Sequence, residues 1–166
     1  MLPERWRAAR PVRCRRGVFA YNQTLPSVQT LMTENQPLVL VVDDYQDARE
    51  MYAEYLSFSG FRVVEAGTGT EAVEKALALR PDVILMDLSL PGMDGWAATR
   101  QLKSDERTKS IPVVALTGHA LAGASEGARL AGCDAFVTKP CLPDELVVEV
   151  RRMLRREDGT AATVRG

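Results

Sequence analysis

Three carboxylates, a hydroxyl and an ammonium stand at the ends of apolar runs in this chain. Asp43 and Asp44 follow LVLVV, Asp87 follows VILM within VILMDLSLPGMDG, Thr117 closes IPVVAL, and Lys139 with Pro140 follows AFVT. A carboxylate at the end of a buried run costs several kcal/mol to desolvate unless something compensates it. If the three acids converge, each like-charge pair at about 4 Å and an effective dielectric near 20 adds roughly 4 kcal/mol. Lys139 offers one positive charge against three negative ones, so two negative charges remain, which a single divalent cation would balance. Oxygen-only donors from carboxylates, a backbone carbonyl and water suit Mg2+, a hard octahedral ion that keeps several waters. No histidine or cysteine is placed at these run ends to recruit zinc. A carboxylate beside Mg2+ and a fixed ammonium is well placed to attack a phosphoryl group, whose equatorial oxygens the two cations stabilise. Asp87 is the expected nucleophile.

The elements that must bring these groups together alternate from Leu38 onward. Strands are expected at Leu38–Val42, Phe61–Ala66, Asp82–Asp87, Ile111–Thr117 and Asp134–Lys139, because short β-branched runs without alternation suit strands covered on both faces. Ala48, Met51, Tyr52, Tyr55 and Leu56 make one helical stripe, which Gly60 ends. Ala72, Val73, Ala76 and Leu77 make a second, capped by Thr70 and ending at Leu79. Weaker patterns cover Trp96 to Lys103 and Leu121 to Ala131; Leu146, Val147, Val150, Met153 and Leu154 form the last stripe. Five strand–helix units imply an α/β fold, a doubly wound (βα)5 three-layer sandwich around a parallel sheet. Ligands of such sheets bind outside the carboxyl ends of the strands, where the strand order reverses. Four of the five strands deliver polar or charged groups to that edge, while their opposite ends read as ordinary.

Composition supports one globular domain: 166 residues, 46% hydrophobic and 26% charged. No apolar run approaches the roughly 20 residues of a membrane span, so no membrane insertion is expected. Three cysteines (Cys14, Cys133 and Cys141) without a CxxC pair suit reduced thiols in the cytoplasm. Six arginines between Arg5 and Arg16, against Glu4, give the first 32 residues a charge of +5, leaving −6 for the rest of a chain of net −1. Residues 1–36 are expected to be a basic, disordered leader, with Met32 as an alternative start. Residues 37–155 are the expected domain and 156–166 a flexible tail. A tail of that length is too short for a DNA-binding module, so no nucleic-acid partner is expected and output would pass through protein contacts.

VVDD, DVILMDLSLPGMDG, PVVALTG and FVTKP, in this order and spacing, resemble the receiver domain of two-component response regulators, of the stand-alone single-domain type. The likeness covers Pro37 to Arg155. It implies a flavodoxin-like fold of strand order 2-1-3-4-5, with Asp87 taking a phosphoryl group from a histidine kinase or a histidine phosphotransfer protein. It further implies that Asp44 binds Mg2+ directly and Asp43 mainly through water, with Asp87 and the Ser89 backbone carbonyl completing the metal ligands. Thr117 would hydrogen-bond the phosphoryl group, Lys139 would pair with it, and Phe136 would swing inward as Thr117 moves; the Lys139–Pro140 bond would be cis. A phosphoryl group adds nearly two negative charges. Inverting a two-state equilibrium from 1:99 to 99:1 takes about 5.5 kcal/mol, to which charge-assisted bonds of about 1.5–3 kcal/mol each would contribute. Self-dephosphorylation would be weak, making the protein a switch and not an enzyme.

Other motifs are read blandly. Asp94-Gly95 is turn chemistry, and GTGTEA lacks the lysine and spacing of a phosphate loop, which argues against a flavodoxin-like nucleotide binder. His119 is read as a surface residue; like Ser89, it occupies a family position that tunes phosphoryl lifetime. The rival reading is a Mg2+-dependent phosphohydrolase with an aspartyl-phosphate intermediate. Such enzymes usually carry a second acid two residues after the nucleophile, where this chain has Ser89.

Overall fold

A computed structural model describes residues 36–118 and 131–158. The described elements are β1 (Leu38–Val42), α1 (Gln46–Phe58), β2 (Arg62–Ala66), α2 (Gly69–Leu79), β3 (Val83–Asp87), α3 (Gly95–Ser104), β4 (Val113–Thr117), β5 (Ala135–Thr138) and α4 (Pro143–Asp158). All five strands are parallel, in the order β2-β1-β3-β4-β5. The expected α/β class and strand order are therefore both observed. The basic leader, His119 and nearly all of the helix expected at Leu121–Ala131 lie outside the described residues.

The alternation of side chains along the strands divides the core in two. Val39, Val41, Val83, Leu85, Val114 and Leu116 point to one face, where Tyr52 and Leu56 of α1 and Leu146, Val150 and Met153 of α4 cover them. Leu40, Val42, Ile84, Met86 and Val113 point to the other, under Ala72, Val73 and Ala76 of α2 and Ala98 and Leu102 of α3. β1 and β3 are buried at every position, so a register slip of one residue would exchange the two cores rather than expose one. Central strands buried this way hold their ends at fixed positions, and the functional groups stand on those ends.

Three local expectations shift. The strands begin later than the apolar runs suggest, because Asp82 and Asp134 take up ladder positions with their side chains. Asp82 Oδ2 accepts from Leu38 N at 2.6 Å, and Asp134 Oδ2 accepts from Val113 N at 2.8 Å. The edge opposite the three converging acids thus carries acids too, each tied to a neighbouring strand. The cap of α2 is Thr68, not Thr70: Thr68 is extended, its Oγ1 accepts from Glu71 N at 3.2 Å, and Glu71 Oε2 accepts in return from Gly67 N at 2.8 Å. Thr70 falls inside the first turn. Finally, α4 runs past Arg155 to Asp158, beyond the last apolar stripe position, through arginine and glutamate, which are good helix formers. Among the described residues, no helix is long and apolar enough to cross a membrane.

The corrected cap gives a simple test. Thr68→Ala is expected to lower stability by about 1 kcal/mol, the usual value of an N-cap, whereas Thr70→Ala should stay within about 0.5 kcal/mol of the parent. Urea denaturation of the two variants checks this.

Candidate functional site

β1 and β3 are neighbours in the sheet, and the chain leaves each at a carboxylate. Asp43 is 1% exposed and Asp87 5%; Asp44 is exposed. Oxygen atoms of Asp43, Asp44 and Asp87 lie within 4.8 Å of one another. The two buried acids are held alike. Asp43 Oδ1 accepts from Tyr45 N at 2.9 Å and Asp87 Oδ1 from Ser89 N at 2.8 Å, while both Oδ2 atoms accept from Lys139 Nζ, each at 2.6 Å. Each carboxylate therefore bonds the N–H two residues on, which turns the chain out of its strand, and spends its second oxygen on a shared ammonium. Burial pulls the Lys139 ammonium toward its neutral form, but the hydrogen bonds to Asp43 and then Asp87 outweigh this and set its pKa above the ordinary lysine value. The lysine stays charged.

Lys139 directly follows β5, and the Lys139–Pro140 bond after it is cis, as the family resemblance implied. Its backbone N–H donates to Thr117 O at 2.7 Å, and Thr117 stands opposite Thr138 in the β4–β5 register. Asp43, Asp44, Asp87, Lys139 and Thr117 thus meet at one rim, with Ser89 exposed beside Asp87. Phe136 does not join them. It is 40% exposed and lines a groove of about 560 Å³ with Pro140, Glu145 and Val148, between β5 and the start of α4.

Other contributors leave little mark in the sequence. Gly95, the first residue of α3, lies so close to β3 that a Cβ there would fall 2.0 Å from Asp87 O. Asp94 caps that helix, its Oδ1 accepting from Ala97 N at 2.7 Å, so the turn that follows the nucleophile candidate is packed directly on its backbone. The Asp-Gly pair carried the signal for a turn, but not for this approach. Beneath the rim, the Tyr52 hydroxyl and the Cys141 thiol lie 3.5 Å apart, both buried. Burial chiefly, then that contact, raises the Tyr52 pKa, with the charges of Asp43 and Asp87 adding to it.

The donor set is what a hard divalent cation requires: three carboxylates at one rim, with one partly buried ammonium among them in the described residues. The fit is one of charge as well as chemistry, because the ammonium satisfies one oxygen of each buried acid and leaves the site net negative. A carboxylate held in this way is largely desolvated and stands at the rim of the sheet, hydrogen-bonded through both oxygens.

The family model described as the response regulator receiver domain matches residues 39–151. The polar-differentiation response regulator DivK of Brucella anthropi is 33% identical over 116 residues, covering 70% of this chain and 94% of its own; DivK of Brucella ovis matches equally. Among solved structures, the chemotaxis protein CheY4 of Vibrio cholerae superposes with a TM-score of 0.69 at 29% identity, covering 72% of this chain and 99% of that one. The receiver domain of a Pseudomonas aeruginosa sensor histidine kinase, solved with a magnesium ion coordinated in its active site cleft, superposes with a TM-score of 0.68 at 33% identity, over 72% and 98% of the two chains.

Removing the shared cation should be costly. Lys139→Met leaves Asp43 and Asp87 buried against each other and is expected to lower stability by on the order of 3 kcal/mol. Thermal or urea unfolding in metal-free buffer measures this. Asp87→Asn in the same background should restore part of the loss, since it removes one of the two unpaired charges.

Proposed function

The chain belongs to the response regulator receiver domain family, and on that footing we propose that it is a phosphorelay switch whose acceptor is Asp87. The observation that carries this reading is the pair of 2.6 Å bonds from one ammonium to Asp43 and Asp87, with Asp44 at the same rim. In the proposed reaction a carboxylate oxygen of Asp87 attacks the phosphorus of a phosphohistidine; the P–N bond breaks as the P–O bond forms, and the donor imidazole takes the leaving electron pair. Asp44 directly and Asp43 mainly through water, with Asp87 and the Ser89 carbonyl, would hold Mg2+, which would supply positive charge at the phosphoryl oxygens. Lys139 moves one of its hydrogen bonds from a carboxylate to the incoming phosphoryl group. No rehydration is needed for that exchange, because the ammonium stays in contact with oxygen throughout. Thr117, joined to Lys139 through its backbone carbonyl, turns its hydroxyl to the phosphoryl oxygens.

The phosphoryl donor is a sensor histidine kinase or a histidine phosphotransfer protein, in a cytoplasmic setting. Output runs through the groove beside Phe136. The Phe136 ring is 40% exposed beside that groove, and its inward swing into space opened as Thr117 moves would reshape the surface that a protein effector meets. The phosphohydrolase alternative draws no support from the site. Ser89 stands where such enzymes usually place an acid, and its N–H is already spent on Asp87 Oδ1.

Incubation with acetyl phosphate and Mg2+, followed by intact-mass measurement, tests the assignment. The parent is expected to gain about 80 Da, the mass of one phosphoryl group, and Asp87→Asn to gain nothing. An adduct that persists in Asp87→Asn would remove Asp87 from the acceptor role, and rapid phosphate release from many phosphomonoesters would favour the hydrolase.

A further inference from the structure

Asp44 is exposed, and among the described residues its carboxylate has no hydrogen-bond partner. Its position is therefore set through its backbone, and the peptides on both sides of the Asp43 Cα are held. Asp43 N donates to Ala66 O at 3.1 Å. The Asp43 carbonyl accepts from Arg49 Nη1 at 2.8 Å, and Arg49 Nε donates to Glu65 Oε2 at 3.1 Å. Arg49 is largely buried for an arginine, with 18% of its side chain exposed. Its planar fork spans β1 and β2, with one branch on the end of β1 and the other on an acid near the end of β2. Glu65 is anchored in turn, since its backbone carbonyl accepts from Lys75 Nζ, and Lys75 pairs with Glu71 at 2.7 Å. The chain of contacts ends at Gly67 N, which donates to Glu71.

We propose that Arg49 and Glu65 are a positioning pair that clamps the Asp43–Asp44 peptide and so fixes the spacing of the three carboxylates for a divalent cation. The proposal rests on the cation-binding reading of the site. Its physical signature is a sign. Arg49 carries a positive charge close to a cation site, so on charge alone its removal would tighten Mg2+ binding. If Arg49 acts by holding the peptide, its removal weakens binding instead, in the way that residues supporting metal ligands commonly matter by about 10–100-fold.

The test compares Arg49→Met and Arg49→Lys with the parent by calorimetric titration with Mg2+ alone, and by amide hydrogen exchange in metal-free protein. Lys103→Met serves as the control, because Lys103 makes a similar ion pair with Asp134, at 2.8 Å, on the far side of the fold. Arg49→Met is expected to bind Mg2+ about tenfold more weakly and to exchange the Tyr45 amide faster, since that N–H is held by Asp43 Oδ1. Arg49→Lys should fall between, because an ammonium reaches the carbonyl or the carboxylate but does not fork to both; it also supplies the answer if the methionine variant does not fold. Lys103→Met should lose stability while keeping its Mg2+ affinity. Unchanged or tighter Mg2+ binding in the Arg49 variants overturns the proposal. If the parent itself binds no Mg2+, the cation reading of the site fails, and the Tyr45 amide then decides the clamp alone: unchanged exchange in the Arg49 variants overturns it.

Discussion

Two buried carboxylates share one ammonium, and the rest of the structure is arranged around that imbalance. A single lysine cannot neutralise both acids, yet without it both would stand desolvated and repelling, 1% and 5% exposed. The arrangement persists because each acid also accepts an N–H from the turn that follows it. That bond stabilises the charge and ends the strand in one step. Strand termination and site formation are therefore the same event at β1 and at β3. Lys139 reaches the pair from β5, on the far side of β4 in the strand order.

The sheet makes this possible by leaving its two central strands no freedom. β1 and β3 are covered on both faces, and the two cores they separate are filled by different helices. The loops at the rim are then held by backbone contacts as well as by side chains. Gly95 rests on the Asp87 carbonyl. Gly69, at the start of α2, leaves no room for a Cβ, which would lie 2.4 Å from Met93 O. The segment between β3 and α3 is thus pressed between two helix N-termini that approach it without side chains. Close approach of this kind makes the loop after Asp87 part of the packed body.

Much of this is legible in the sequence, for reasons that differ by element. The five strands show as continuous apolar runs because both their faces are buried, and the parallel order follows from strand–helix alternation. The site shows because charged residues at the ends of such runs are costly and so conspicuous. What escapes is whatever depends on a backbone atom. Thr68 and Thr70 are equally good caps by type, and only the extended conformation of Thr68 decides between them. Asp82 and Asp134 look like strand residues until their side chains are seen to replace the ladder at the opposite edge. Arg49 and Glu65 carry no mark in the sequence, since the bonds of Arg49 to the Asp43 carbonyl and to Glu65 depend on how α1 and β2 meet. Gly95 reads as half of a turn because its neighbour across space, a carbonyl eight residues earlier, has no mark in the sequence.

The outer strands of the sheet have a further consequence. Among the described residues, β2 and β5 each leave one side of the backbone without a partner strand, a shape that invites a foreign strand to add on. β5 is only four residues long and is followed at once by Lys139 and Pro140, while β2 carries Arg62 and Glu65 within its five. Brevity, charge and a residue without an N–H all discourage edge-to-edge polymerisation. The fold can keep its open sheet without offering a template for fibrils.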